Sequence, residues 1–208
     1  MALTTLDYFF DPGCPWTWMT SRWVVDVAAR KSVPVRWRAF SLAIKNRGRE
    51  IPEQFRPLMA VSLGALRVVE AVWAKEGDEP IGRLYTELGR RFHQDNDMTT
   101  AAVEAALGAC GLDPTLISAA DDQRWDREIE ASMAEATELV GTDVGVPVMV
   151  FHEASGIHAI SGPVMSPTVT GDEALALWDH VIGISRCPTF FELKRSRTAP
   201  PHLGPPAT

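Results

Sequence analysis

The stretch Leu6-Asp7-Tyr8-Phe9-Phe10-Asp11-Pro12-Gly13-Cys14-Pro15-Trp16-Thr17-Trp18-Met19 decides the fold. Leu6, Tyr8 and Phe10 alternate with Asp7 and Phe9 before Asp11-Pro12-Gly13, the pattern of a buried strand closed by a tight turn. Pro15 follows where a helix accepts proline best, at its first position, and Trp16, Met19, Trp23 and Val27 then recur at helical spacing. Val35 to Phe40 alternates again, which gives a second strand after the helix and predicts a βαβ unit with parallel strands. The fold class is therefore α/β.

Cys14 falls where that strand hands over to the helix. Unpaired backbone N–H groups and the helix macrodipole favour negative charge at such a place. Cysteines at helix starts have pKa values of roughly 3.5–7.5, so Cys14 is the candidate nucleophile, with a depressed pKa expected. Thr17, three residues on, is placed to offer its hydroxyl to the sulfur from one turn away.

Moving outward, the apolar period turns helical from Pro52 and stays so for about ninety residues. Phe55, Met59, Leu66, Val69 and Trp73 mark one stripe, Ile81, Leu84, Tyr85, Leu88 and Phe92 another, and Val103, Ala106, Leu107 and Cys110 a third. Asp113-Pro114 reads as a helix cap, and Trp125, Ile129, Met133, Ala136 and Val140 continue a further helix that ends near Gly141. Val146 to Phe151 is then a strand led by Pro147, with Ile157 to Ser161 as its hairpin partner. Thr170 to Glu173 has capping-box spacing and opens a helix carrying Leu175, Trp178, Val181 and Ile182. The expected division is 1–50 with 142–198 for the sheet domain, 51–141 for a helical insertion, and an irregular Pro-rich tail over 199–208.

The 208 residues suffice for one substantial domain with an insertion, and 46% hydrophobic with 23% charged residues is an ordinary globular composition. A formal net charge of −7 has the wrong sign for nucleic acid or anionic lipid, so neither is an expected partner. No apolar run reads as a membrane span, and Met1 to Asp7 lacks a basic, signal-type start, so a cytoplasmic protein is expected. Cys14, Cys110 and Cys187 are odd in number and far apart, which supports neither a disulfide framework nor a metal site.

A strand, Cys14-Pro15-Trp16-Thr17 at a helix start, a helical insertion and Val146-Pro147 opening a strand resemble the thioredoxin fold in its DsbA-like form. More narrowly, Asp11 to Trp16 with Trp18 and Ser21-Arg22-Trp23, Ser41-Leu42-Ala43-Ile44, Pro52-Glu53-Gln54, Gly162-Pro163-Val164 and Phe190 to Arg195 resemble the actinobacterial mycothiol-dependent reductase (nitroreductase) branch. That resemblance spans nearly the whole chain. It implies a cis Pro147 facing the cysteine, Val146 presenting backbone groups to a bound thiol, and Pro15, Trp16, Asn46 and Phe55 as further substrate-binding positions. Mycothiol or a similar small thiol is the implied cosubstrate, with no tightly bound cofactor. This chain departs from the branch where Thr17 replaces the second sulfur of Cys-Pro-Trp-Cys, Phe55 a tyrosine and Val146 a threonine.

Three functions follow from these residues. The first is a monothiol oxidoreductase in which an external thiol resolves the Cys14 adduct of a small-molecule or carrier-bound electrophile. The second is cis–trans isomerisation of a conjugated polyenoyl substrate by reversible Michael addition of Cys14. The third is a non-catalytic thioredoxin-like binding module. Cys110 is expected to pack as a small hydrophobe and Trp18 to join the core, while Trp16 either packs or lines a groove. His93 is expected at a surface helix end, and Cys187 would matter only if it lay near Cys14.

Overall fold

In a computed structural model, which describes residues 3–204, a four-stranded mixed sheet carries the helices on its two faces. β1 (Leu3–Phe10) leads through the turn into α1 (Pro15–Lys31) and on to β2 (Val35–Ala39). β1 and β2 pair in parallel, as the strand–helix–strand pattern requires. β3 (Val148–Glu153) runs antiparallel to β1 and forms a hairpin with β4 (Gly156–Ser161), giving the sheet order β2-β1-β3-β4. α7 (Gly171–Ser185) closes the chain's regular structure.

Between β2 and β3 come α2 (Leu42–Lys45), α3 (Arg56–Glu76), α4 (Ile81–Gly89), α5 (Thr100–Ala109) and α6 (Asp126–Val140). The stripe ending at Phe92 is not one α-helix: α4 stops at Gly89 and the backbone widens into a π-turn over Arg90–Gln94. Asp113 does cap, accepting the Thr115 amide, but it opens a 3₁₀ segment, Pro114–Asp121. Thr170 is the N-cap of α7 without a side-chain cap bond, so the capping-box spacing is not used. Phe55 (47% exposed) and Trp73 (50% exposed), at the two ends of the α3 stripe, stay half-exposed instead of joining the core. The helical segment Glu53–Glu76 is also long and apolar enough to match a membrane span, contrary to the expectation from the sequence. Its apolarity is used internally, because Leu66, Val68, Val69 and Val72 are buried in the core.

Strand alternation sorts the core into two layers. Leu6, Tyr8 and Phe10 of β1 pack with Trp18 and Trp23 of α1, Leu66 and Val69 of α3, and Trp178 of α7. Phe9, on the opposite face, packs with Val148 and Val150 of β3 and Ala136 of α6. Trp23 donates its indole N–H to the Ala174 carbonyl at 3.0 Å, which ties α1 to α7. Gly89 is needed for a close approach: a Cβ there would run into the Trp18 ring. The tail is irregular yet attached, since the His202 amide donates to Ser166 Oγ at 2.9 Å; residues 205–208 lie outside the described residues.

Candidate active site

Pairing register builds the site. Phe9 of β1 is opposite Val148 of β3 in an antiparallel ladder. Continuing that register by two residues sets Val146 against the turn that begins at Asp11. The Val146-Pro147 peptide is cis, and Val146 joins Cys14, Phe9 and Phe40 in one buried apolar cluster. Trp16, half-buried, packs against the same cluster, and Pro15 occupies the first turn of α1.

Cys14 is the N-cap of α1, in extended conformation, and its amide donates to the Asp11 carbonyl at 3.0 Å. Its surroundings overturn the expected pKa. Cys14 is only 8% exposed, and burial pushes its thiol above the ordinary value, with the charge of Asp11 adding to the rise. The Thr17 side chain and the Thr17 and Trp16 amides oppose this without reversing it. Desolvation wins because the helix-mouth amides act on a sulfur with little water around it. Burial therefore favours the neutral thiol over the thiolate at Cys14.

Thr17 is fully buried, and its hydroxyl makes no hydrogen bond of ordinary geometry among the described residues. It nevertheless favours the ionised sulfur. An uncommitted hydroxyl one turn below a nucleophile is free to donate once negative charge develops there. The Tyr8 hydroxyl donates to the Thr17 carbonyl at 2.7 Å and fastens this turn of α1 to β1.

The turn before Cys14 is held by groups that pattern reading did not single out. Asp11 is buried, and its carboxylate accepts from the Gly13 amide at 2.9 Å, the Leu42 amide at 2.7 Å and the Ser62 hydroxyl. Burial raises Asp11 above the usual carboxylate range, and those three donors oppose the rise. His93 is not a free surface histidine. Its Nε2 is 2.8 Å from the Pro12 carbonyl, and burial depresses it to about 4, leaving it neutral at pH 7. The π-turn that carries His93 is the local irregularity that could have marked it.

Asn46 is partly buried and Phe55 is exposed, and neither has a side-chain bond to the Cys14 turn among the described residues. Asn46 donates its side-chain amide to the Leu42 carbonyl of its own short helix at 2.8 Å. Phe55 stands at the exposed start of α3, one heptad before Ser62 and therefore on the same helix face, about 10 Å nearer the end of the helix. Arg197 from the tail sits over Trp16, its guanidinium carbon 4.7 Å from the ring centroid. Cys110 is partly buried against the core, as expected of a small hydrophobe. Cys187 is exposed beyond α7, with Thr189 holding its thiol below the ordinary range. His152 and His158 serve carboxylates, Asp7 at 2.8 Å and Glu153 at 3.6 Å.

A parallel βαβ unit with cysteine at the helix mouth, a cis-proline strand beside it and helices inserted between β2 and β3 define a DsbA-like thioredoxin-fold thiol oxidoreductase. Residues 13–195 match the family described as Rv2466c-like, "Mycothiol-dependent nitroreductase Rv2466c", and the chain belongs to that family. It is 28% identical over 202 residues to "Uncharacterized protein Rv2286c" of Mycobacterium tuberculosis, covering 94% of this chain and 84% of that one. Among solved structures it resembles the cytosolic disulfide reductase DsbM of Pseudomonas aeruginosa, with TM-score 0.58, 15% identity, and coverage of 86% of this chain and 98% of that one. It also resembles the oxidoreductase DsbA of Xylella fastidiosa, with TM-score 0.51, 14% identity, and coverage of 88% and 87%. At such identities these two likenesses concern the fold.

Proposed function

We propose that the protein is a monothiol reductase that runs its cycle on Cys14 alone and takes mycothiol, or a small thiol like it, as resolving cosubstrate. The observation that carries this reading is the helix-mouth cysteine with a buried threonine, Thr17, where a dithiol motif places its second sulfur. Family membership supports the choice of thiol. The Cys14 sulfur attacks a mixed disulfide between the small thiol and the substrate; the Cys14–thiol disulfide forms, and the substrate leaves as a thiolate that takes up the proton Cys14 has lost. A second small-thiol thiolate attacks the adduct, releases the symmetrical disulfide and restores Cys14. Net, one small thiol is oxidised for each mixed disulfide reduced, and no second protein sulfur is required.

The substrate side of the site would be Trp16, Val146 and Pro147, with Asn46 and Phe55 at its outer rim. The alignment of Phe55 with Ser62 on α3 supports that rim, because Ser62 touches the nucleophile's turn. A small-molecule or carrier-bound electrophile fits the narrow exposure of Cys14 better than a bulky folded one. A cytoplasmic setting, where small thiols stay reduced, suits the cycle.

A second reading, reversible addition of Cys14 to a conjugated polyenoyl chain with cis–trans isomerisation, is favoured by the apolar shell of Phe9, Phe40 and Val146 around the sulfur. Purified protein given a mixed disulfide and mycothiol tests the first reading. One thiol consumed per product, a Cys14–mycothiol adduct by mass spectrometry and loss of turnover in Cys14→Ala are expected. Turnover of a polyene isomer without thiol consumption would replace it with the second reading.

A further inference from the structure

Ser62 is on α3, in the helical region between β2 and β3, 49 residues from the glycine it contacts. Its side chain is buried, and its Oγ accepts the Gly13 amide at 2.8 Å while donating to Asp11 Oδ1. The same amide also reaches Asp11 Oδ1 at 2.9 Å, so amide, hydroxyl and carboxylate form a closed three-group ring within the turn. Among the described residues each partner of the Asp11 carboxylate is a donor, which matches its ionised form. Asp11 in turn accepts the Cys14 amide through its carbonyl. The contact is tight on all sides: a Cβ on Gly13 would stand 2.8 Å from Ser62 Oγ, 2.9 Å from Ser62 Cβ and 2.5 Å from Met98 Cε.

We propose that Ser62 is a positioning residue for the reaction at Cys14: its hydroxyl locks the Asp11-Pro12-Gly13 turn and holds the Asp11 carboxylate beside the nucleophile. This rests on the reading that Cys14 is the reacting group. A serine from one region of the chain thus controls the charge felt by a sulfur in another. The surroundings leave Asp11 as the tunable neighbour. Tyr8 from β1 and Tyr85 from α4 face the same region but are buried, and burial keeps their hydroxyls protonated; Arg22 of α1 acts on those two tyrosines. His93 bonds the Pro12 carbonyl in its neutral form. α6 and β3 contribute Met133, Ala136, Val140, Val148 and Val150 to the apolar cluster around Cys14.

Loss of the Ser62 hydroxyl removes one of three donors from Asp11 and lets the still-ionised carboxylate move away from the nucleophile's turn, which weakens the negative charge felt by Cys14. Iodoacetamide alkylation of full-length protein, followed on the Cys14 peptide by mass spectrometry from about pH 6 to about pH 11, reads this directly. In Ser62→Ala the alkylation midpoint is expected to fall by about half a unit, a roughly three-fold rise in thiolate below the midpoint. Turnover should nevertheless drop, because the turn is looser, and Ser62→Thr, which keeps the hydroxyl, should restore the wild-type midpoint. Asp11→Asn should lower the midpoint likewise, and the double variant should shift no further than Asp11→Asn alone. An unchanged midpoint in Ser62→Ala, or in Asp11→Asn should Ser62→Ala not fold, overturns the proposal, as does additivity in the double variant. Retained turnover in Cys14→Ala would instead overturn the catalytic reading while the alkylation midpoints still decide the role of Ser62.

Discussion

His93 Nε2 meets the Pro12 carbonyl oxygen at 2.8 Å, so a histidine from the π-turn after α4 closes on the backbone that presents Cys14. A carbonyl only accepts, so the ring donates from Nε2. Burial opposes a second proton on that ring.

This predicts an acid-sensitive hold on the turn. The folded pKa of His93, about 4, lies below its ordinary 6.5, so its contribution to stability is complete above pH 6.5 and is lost as pH falls toward 4. His93→Gln keeps an N–H donor but does not titrate. Thermal melts should show wild type losing about 2 kcal/mol more than this variant between pH 7 and pH 4; parallel pH profiles would refute the assignment.

Glu70 carries the opposite dependence. It lines a cavity of about 130 Å³ with Trp37, Arg38, Glu128 and Glu135, and its pKa rises to about 7. Burial is the main cause, opposed by Arg38 and reinforced by Glu128 and Glu135. A raised carboxylate pKa means that stability is lost as pH climbs from the ordinary value of 4.5 through 7. Glu70→Gln should therefore stabilise the protein by about 1–3 kcal/mol at pH 8 and by little at pH 5, measured by denaturant titration.

Gly13→Ala should cost about 1–3 kcal/mol of stability and most of the activity, since the added methyl meets Ser62 Cβ at 2.9 Å. Met98→Ala in the same chain removes only the 2.5 Å contact with Met98 Cε. Partial recovery of the melting temperature without recovery of turnover is the expected result.

Thr17→Cys supplies the sulfur that the Cys14 motif lacks, at a buried site one turn away. After mild oxidation the purified variant should be about two mass units lighter and resist alkylation at Cys14, because an internal disulfide has formed. Persistence of a free Cys14 thiol would show that the two sulfurs cannot meet.

Much of this architecture was legible from local chemistry. Alternation of Leu6, Tyr8 and Phe10, the turn at Asp11-Pro12-Gly13 and proline at the first position of α1 together place Cys14 at the helix mouth, and the structure keeps it there. Phe55 and Trp73 were harder to read, because an apolar side chain at helical spacing stays half-exposed where its stripe runs past the elements that cover the middle of the helix. The ring of Ser62, Asp11 and Gly13 left no pattern at all, since its members are 49 or more residues apart except for the local Asx turn.

Periodicity and turn chemistry, which act over a few neighbouring residues, therefore determined the βαβ unit, the helical block and the position of the single motif sulfur. The ionisation state of that sulfur was decided only by tertiary packing. The helix mouth favours the thiolate wherever Cys14 is placed, but the loss of water around it and the charge of Asp11 exist only once β3, α3 and α6 have closed over the turn. Desolvation is a property of the assembled interior, and it overrides here what the local backbone would have favoured.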